Sequence, residues 1–262
     1  MNILCIGDVV GNGGTEALCK VLPDIKRKVK ADLTIVNGEN ASEGNGILPF
    51  SANKIFSFGA DVITGGNHSL RRHEIYDMLD TNDRILRPHN FPASTPGKGY
   101  TLVDMGRIKV AVLNILGVVY LENLDCPFKT AESLIKKAKD DNAKIIVLDF
   151  HAEATSEKKA LFYTLDGKIS AMFGTHTHVA TADETISNYG TGYITDIGMT
   201  GPIHSVLGIK PEIAISKMRD KLPVKFLNAD GPYCLNGVLF SFDDATGKCI
   251  KAERIKYDNI NI

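Results

Sequence analysis

The chain begins with the apolar run Ile3-Leu4-Cys5-Ile6, which leads through Gly7-Asp8 into the glycine-rich turn Gly11-Asn12-Gly13-Gly14. After this turn, apolar residues recur at helical spacing, and Thr15 is the expected N-cap of the helix. The predicted buried face of this helix carries Leu18, Val21, Leu22, Ile25 and Val29. A strand, a loop and a helix therefore form the first unit of the fold.

The next two units repeat this order. The β-branched run Leu33-Thr34-Ile35-Val36 precedes a predicted helix at 52–58, and Asp61-Val62-Ile63-Thr64 precedes another at 72–79. Strands that alternate with helices at this spacing favour a βαβ arrangement with parallel strands. We therefore expect an α/β fold.

The rest of the chain adds a second group of strands. Tyr100–Val103 and Lys109–Ile115 flank a short polar turn, which predicts a hairpin. The other predicted strands are 145–148, 169–173, 193–195, 234–242 and 249–257, and the other predicted helices are 129–139, 156–162 and 211–221. We expect one domain over residues 1–262 with a largely two-sheet core, and residues 71–100 are a candidate for a small cap.

Composition favours a globular protein of the cytoplasm. Of the 262 residues, 44% are hydrophobic and 23% are charged, and the net charge of -1 argues against bulk nucleic-acid binding. The five cysteines are scattered without a C-x-x-C pair, as expected of reduced thiols. No apolar stretch approaches the roughly 20 residues that span a bilayer, and the start lacks the pattern of a secretory signal. The sequence leaves the oligomeric state open, a homo-oligomer included.

Polar side chains follow five of the predicted strands. In chain order they are Asp8, then Glu39 and Asn40, then Asn67 and His68, then His151, and finally His176 and His178. Ligands of open α/β sheets bind at the carboxyl edge of the strands, so distant segments can deliver these groups to one cleft. An extended or looping backbone over Thr175-His176-Thr177-His178 could aim both imidazoles at one point. We therefore expect one common site.

The residue types in this set match one chemistry. Carboxylates, imidazoles and amide carbonyls without a thiolate form an N/O ligand set, which suits manganese, iron or zinc. The set is too large for a single open catalytic zinc site. Two ions about 3.5–4 Å apart, bridged by a carboxylate, would use all of it and clamp a phosphoryl group during in-line displacement. The sequence thus predicts a dinuclear metal site for an anionic ester.

The glycine-rich turn is not a nucleotide-binding fingerprint. The third glycine of G-x-G-x-x-G would fall at Glu16, and no Gly-Lys-Ser or Gly-Lys-Thr follows, which excludes Rossmann and Walker loops. We expect these glycines to let the backbone pass close to the metal ions.

Five motifs together resemble those of the calcineurin-like metallophosphoesterases. They are Gly7-Asp8, Gly38-Glu39-Asn40, Gly66-Asn67-His68, His151 and Gly174-Thr175-His176-Thr177-His178. The segments 6–11, 37–41, 149–155 and 194–202 resemble more narrowly the bacterial YmdB-type phosphodiesterases, which act on cyclic nucleotides. This resemblance covers nearly the whole chain. It implies a four-layer αββα sandwich that carries a di-iron or dimanganese centre, with zinc left open.

The resemblance also implies a role for each residue of the set. The first metal ion would bind Asp8, Glu39, Asn40 and His178, and the second would bind Glu39, Asn67, His151 and His176. Glu39 would bridge the two ions. A metal-bound hydroxide would attack phosphorus in line, and His68 would protonate the leaving ribose oxygen of a 2',3'- or 3',5'-cyclic nucleotide.

The chain departs from the wider family at Asp8-Val9-Val10, which replaces the usual Asp-x-His, a change that the narrower branch shares. It departs further where Ser69-Leu70-Arg71 replaces a segment with a Trp-Asp pair and where Val118 stands in place of an arginine. Two alternatives therefore stay open. The chain could be a phosphomonoesterase or phosphoprotein phosphatase, or a regulatory RNA-related module that keeps a structural metal site.

Overall fold

The computed structural model describes residues 1–262, which form a mixed α/β fold. The strands are β1 (Asn2–Ile6), β2 (Asp8–Val9), β3 (Leu33–Asn37), β4 (Val62–Thr64), β5 (Tyr100–Asp104), β6 (Lys109–Leu116), β7 (Ile145–His151), β8 (Ala171–Thr175), β9 (Thr185–Ile186), β10 (Gly192–Ile194), β11 (Met199–Pro202), β12 (Tyr233–Phe242) and β13 (Cys249–Ile260). The helices are α1 (Gly11–Val29), α2 (Pro49–Ser57), α3 (Tyr76–Thr81), α4 (Pro127–Asp140), α5 (Thr155–Leu165) and α6 (Pro211–Ile215). No helix combines the length and the apolar character that crossing a membrane requires.

Two sheets hold the strands. The first has the order β2-β11-β12-β1-β3-β4, with β13 paired to β12, and the second has the order β5-β6-β7-β8-β10-β9. Strands β1, β3 and β4 run parallel, as do β6, β7, β8 and β10. The predicted hairpin is confirmed as the antiparallel pair β5 and β6. The parallel strands place their carboxyl ends at one edge of each sheet.

Three clusters of buried apolar side chains fill the core. Leu4 and Leu18 belong to the cluster between the first sheet and helices α1 and α2. Ile3 and Phe173 belong to the cluster between the two sheets, and Leu134 belongs to the cluster between the second sheet and helices α4 and α5. Successive residues of a strand point to opposite faces, so a strand covered on both faces must be apolar on both, as β1 is from Ile3 to Ile6.

Helix α1 begins at Gly11, so the prediction that Thr15 caps it is wrong. The Thr15 hydroxyl lies inside the helix and donates to the Ala41 carbonyl at 2.9 Å. Gly14 is needed for packing, since a Cβ there would lie 2.5 Å from the carbonyl oxygen of Thr200, while the approach of the glycine-rich turn to metal ions stays a prediction. Gly14 thus allows α1 to pack closely on β11.

Other element boundaries differ modestly from the expectations. The helix predicted at 72–79 is a 3₁₀ turn at His73–Ile75 followed by α3, and the helix predicted at 211–221 is α6 followed by a π-helical turn at Ser216–Asp220. The short strands β2, β9 and β11 were not predicted. Segments of two to four residues are too short to show a strand periodicity.

Candidate metal centre

The polar side chains predicted from the five strand ends meet at one cleft. The cleft has a volume of about 290 Å³. Its lining includes Glu39, Asn40, His68, His176 and His178. The remaining members of the set, Asp8, Asn67 and His151, lie directly behind or beside these residues, as the contacts below show. The carboxyl edges of the two sheets thus bring together side chains that are far apart in the sequence.

Asp8 is fully buried, and one of its carboxylate oxygens has no protein partner. Oδ2 accepts a hydrogen bond of 3.0 Å from the backbone N–H of His176. Oδ1 makes no hydrogen bond, and Nδ1 of His151 lies 3.7 Å from it. Burial raises the pKa of Asp8, and His151 and His178 partly oppose this. A buried carboxylate oxygen without a partner is costly, so this position fits a ligand to a cation.

The tautomer of His151 is set by its neighbours. Thr175 donates its hydroxyl proton to Oδ1 of Asp149 at 2.7 Å, so its oxygen accepts the Nδ1–H of His151 at 2.9 Å. Nε2 of His151 is then the ring nitrogen that faces the cluster and can hold a proton or a metal ion. It lies 3.0 Å from Oδ1 of Asn67 and 3.1 Å from Nδ1 of His176. Three atoms that carry lone pairs face one another here, so a positive charge is required among them, supplied by a proton on Nε2 or by a metal ion.

Glu39 lies at the centre of the cluster with its two oxygens in different surroundings. Oε1 accepts from the amide of Asn40 at 2.7 Å and lies 3.2 Å from Nδ1 of His68. Oε2 accepts from the backbone N–H of His68 at 2.9 Å and lies 3.4 Å from Nε2 of His151. Ligand atoms of Glu39, His151 and His176 all lie within 4.8 Å of one another. This donor set fits a divalent ion.

The shifted pKa values in the cluster also show that positive charge is favoured there. Burial lowers the pKa of His151, but the charges of Glu39 and Asp8 outweigh burial and raise it to about 9. Burial raises the pKa of Glu39, but His151 and His68 outweigh it and hold this pKa well below its usual value. Burial and the neighbouring His151 lower the pKa of His176 to about 3. The buried carboxylates therefore favour cations, which metal ions would supply.

The two histidines of the loop after β8 adopt left-handed backbone conformations. The φ angle is 104° at His176 and 64° at His178, where non-glycine residues are strained by about 1–3 kcal/mol each. The extended alternative for this segment is therefore wrong. Nδ1 of His178 donates to the carbonyl of Leu207 at 3.0 Å, which leaves Nε2 with a lone pair for a ligand.

A buried ion pair holds this strained loop in place. Nζ of Lys158 donates to Oδ2 of Asp196 at 2.7 Å and to the carbonyl of Thr175 at 3.0 Å. The same Oδ2 accepts from the N–H of Thr177 at 3.1 Å, and Oδ1 of Asp196 accepts from the N–H of Gly198. Sequence reasoning found no role for Asp196, because its partner Lys158 lies on a distant helix.

His68 is positioned by a tight turn. The hydroxyl of Ser69 accepts from the N–H of Gly66 at 2.9 Å and donates to the carbonyl of Gly66 at 2.8 Å. A Cβ at Gly66 would lie 2.3 Å from Oε2 of Glu39, so only glycine fits there. Nδ1 of His68 lies 2.9 Å from Oδ1 of Asn40, which leaves Nε2 free to contact a ligand.

Several residues around the centre were not predicted. Oε2 of Glu153 lies 3.1 Å from Nε2 of His176. The Asn37 amide and the Thr64 hydroxyl donate to Oδ2 of Asp149, whose pKa is raised to about 6 by burial. A polar residue inside an otherwise apolar strand, such as Asp149, was the one signal in the sequence that pointed to this network.

Val10 takes the place of the usual histidine and lines the cleft beside Asn40, whereas the other two departures from the resembled family leave the ligand side chains in place. Ser69 builds the turn that carries Asn67 and His68. The backbone N–H of Val118 donates to the carboxylate of Glu157 at 2.9 Å, and Val118 is not part of the cleft lining. Of the other histidines, His73 is exposed and His89 lines a separate cavity with Arg87.

Comparison with known proteins shows the family of this chain. The family model described as "YmdB-like protein" matches residues 4–255. The chain is 47% identical to the 2',3'-cyclic-nucleotide 2'-phosphodiesterase of Bacillus subtilis over 255 residues, which cover 97% of this chain and 96% of the relative.

Two solved structures are similar over the whole fold. A hypothetical protein from Thermus thermophilus matches with a TM-score of 0.93 and 36% identity over 99% of this chain and 100% of its own. A novel phosphatase from Mycoplasma pneumoniae matches with a TM-score of 0.93 and 33% identity over 100% of this chain and 94% of its own. From its sequence and its fold, the chain belongs to the family of YmdB-like proteins.

Proposed function

We propose that this chain is a dinuclear-metal phosphodiesterase that hydrolyses 2',3'- or 3',5'-cyclic nucleotides. The observation that carries the proposal is the unpartnered, buried Oδ1 of Asp8 in a cluster where Nε2 of His151 and Oδ1 of Asn67 face each other at 3.0 Å. The activity of the 47% identical Bacillus subtilis relative supports the substrate class. The phosphatase from Mycoplasma pneumoniae supports chemistry at a phosphate ester.

The ligands divide into two groups around Glu39, in line with the roles implied by the resemblance. One ion would be held by Asp8, Glu39, Asn40 and His178, and the other by Glu39, Asn67, His151 and His176. When bound, such ions activate a water molecule and neutralise charge on the phosphoryl oxygens. Iron and manganese are the metals we propose, and zinc shares the same ligand preferences.

His68 is the residue that we assign to proton transfer. Its Nδ1 is held by Asn40 and Glu39, so Nε2 is the nitrogen that can reach the leaving ribose oxygen. Its position in the cleft lining, beside the ligands but outside both ligand groups, supports this role. A general acid placed in this way contributes about 10²–10⁴-fold to the rate.

We also propose an architecture, a domain organisation and a cellular location for the chain. The packing of helices outside two stacked sheets supports a four-layer αββα sandwich of the metallophosphoesterase type. The pairing of β1 with β12 supports one domain over residues 1–262, while a cap role for residues 71–100 stays a prediction. Five unpaired cysteines support a reducing, cytoplasmic location.

The function is tested with purified, metal-loaded protein and three substrates. We expect turnover of 2',3'-cyclic AMP or 3',5'-cyclic AMP at a higher kcat/KM than p-nitrophenyl phosphate. Faster hydrolysis of the monoester would favour a phosphomonoesterase. If no ester is hydrolysed although elemental analysis finds the metal in place, the RNA-related module with a structural metal site becomes the better explanation.

A further inference from the structure

One wall of the cleft is apolar and takes no part in metal binding. Val10, Leu207, Ile209 and Phe226 line it together with the amide-bearing Asn228. Phe226 is 52% exposed and Leu207 is 47% exposed. Ligand sites combine apolar surface with a few polar groups that fix orientation, and this wall lies in the same cleft as the predicted metal ligands.

Backbone hydrogen bonds fix the apolar wall relative to the metal centre. The carbonyl of Leu207 accepts from Nδ1 of His178 at 3.0 Å, so the wall is in direct contact with a predicted metal ligand. The N–H of Lys210 donates to the carbonyl of Leu227 at 3.0 Å, and the N–H of Ala229 donates to the carbonyl of Gly208 at 2.8 Å. These bonds tie the segment that carries Phe226 to the turn that carries Leu207.

We propose that Phe226 and Leu207 seat the nucleobase of the substrate while its phosphate binds at the metal centre. This inference rests on the proposed function. A nucleotide carries a planar, apolar ring next to its phosphate-bearing ribose, and the cleft lined by the predicted metal ligands also carries the exposed aromatic ring of Phe226. Stacking of a base on an aromatic side chain strengthens binding by about 5- to 150-fold and depends little on which base is present.

The test measures binding, so that it does not depend on turnover. Isothermal titration calorimetry with metal-loaded protein compares adenosine 3'-monophosphate with ribose 3-phosphate, which lacks the base. We expect the wild-type protein to bind the nucleotide at least about 5-fold more tightly. In Phe226→Ala this preference should disappear, whereas the affinity for ribose 3-phosphate should stay unchanged. Phe226→Tyr should keep the preference because it keeps the ring.

Phe58→Ala is the matched control, since Phe58 is 41% exposed and lies outside the cleft lining. The proposal that Phe226 and Leu207 bind the nucleobase is refuted if the wild-type protein shows no preference for the nucleotide, or if Phe226→Ala keeps the full preference. The proposed function fails separately, namely when no cyclic nucleotide is hydrolysed although Phe226→Ala abolishes the binding preference.

Discussion

Lys158 and Asp196 form a fully buried ion pair, with 2.7 Å between Nζ and Oδ2 and side chains 0% and 1% exposed. Lys158 donates to the carbonyl of Thr175 and Asp196 accepts from the N–H of Thr177, so the pair holds the loop that carries His176 and His178. Both histidines have left-handed backbone angles, and such strain persists only where surrounding contacts over-determine it. The ion pair is therefore a positioning device for two predicted metal ligands.

Lys158→Met should lower the free energy of unfolding by about 3–5 kcal/mol, because it leaves the buried Asp196 carboxylate unpaired. Urea unfolding measures this loss, and elemental analysis should show a lower metal content as the loop relaxes. Lys159→Met on the same helix is the control. Its pair with Asp183 is partly exposed, so the loss should stay below about 1 kcal/mol. Equal losses in the two variants would contradict the positioning role.

Asp8→Asn should reduce the metal content, because it removes a negative charge whose Oδ1 has no protein partner. Removal of the ions by a chelator should also lower the stability of the wild-type protein. A ligand present at 100 to 1,000 times its Kd stabilises the native state by about 3–4 kcal/mol. Elemental analysis and thermal unfolding measure both effects. Asp24→Asn, at an exposed carboxylate on α1, should leave the metal content intact, and an unchanged content in Asp8→Asn would refute the assignment.

His68→Ala should lower kcat by about 10²–10⁴-fold while the metal content stays unchanged, because His68 lies outside both ligand groups. Steady-state kinetics with a cyclic nucleotide measure kcat, and elemental analysis measures the metal content. His73→Ala serves as the control, since its side chain is 85% exposed and lies outside the cleft. A rate unaffected by His68→Ala would remove His68 from the proton-transfer step.

Asp183 should contribute stability that is lost in acid. Burial raises its pKa, but hydrogen bonds from Thr195, Thr181 and Lys159 outweigh burial and lower it from 3.8 to about 2. The native state therefore binds fewer protons than the unfolded state between about pH 2 and 4. The contribution is fully present above about pH 4 and is lost as the pH falls through this window.

Urea unfolding at a series of pH values measures this effect. We expect a loss on the order of 1–2 kcal/mol, after allowance for solvent screening at a carboxylate that is about one third exposed. The loss should be absent from Asp183→Asn, which does not titrate. A wild-type protein and a variant with parallel pH profiles would show that Asp183 makes no such contribution.

The strands and helices that a short stretch of sequence specifies by itself could be predicted. The alternation of apolar runs with amphipathic helices identified β1, β3, β4, β6, β7 and β8 because side-chain periodicity acts within a few residues. The start of α1 was predicted too late because the glycines at 11–14 are typical of a turn but form the first turn of the helix, where Gly14 packs against Thr200 from far along the chain. The short strand β11 was missed because its formation depends on pairing with β2 and β12.

The sequence by itself determined that Asp8, Glu39, His151 and His176 stand at the carboxyl ends of parallel strands, where ligands bind in α/β sheets. Asp8 and Glu39 follow strands of the first sheet and His151 and His176 follow strands of the second, so only the tertiary structure decided that these two edges meet at one cleft. Only the tertiary structure decided how these residues present their ligand atoms. The tautomer of His151 depends on Thr175 and Asp149, and that of His178 depends on the Leu207 carbonyl.

Two further features are likewise present only in the folded chain. One is the set of hydrogen bonds by which Lys158 holds the loop of His176 and His178, and the other is the apolar wall of the cleft. These features join residues from separate elements, and their hydrogen bonds form only when the sheets and helices pack. A sequence pattern records the type and spacing of side chains, whereas proton positions and buried ion pairs are set by contacts between distant segments.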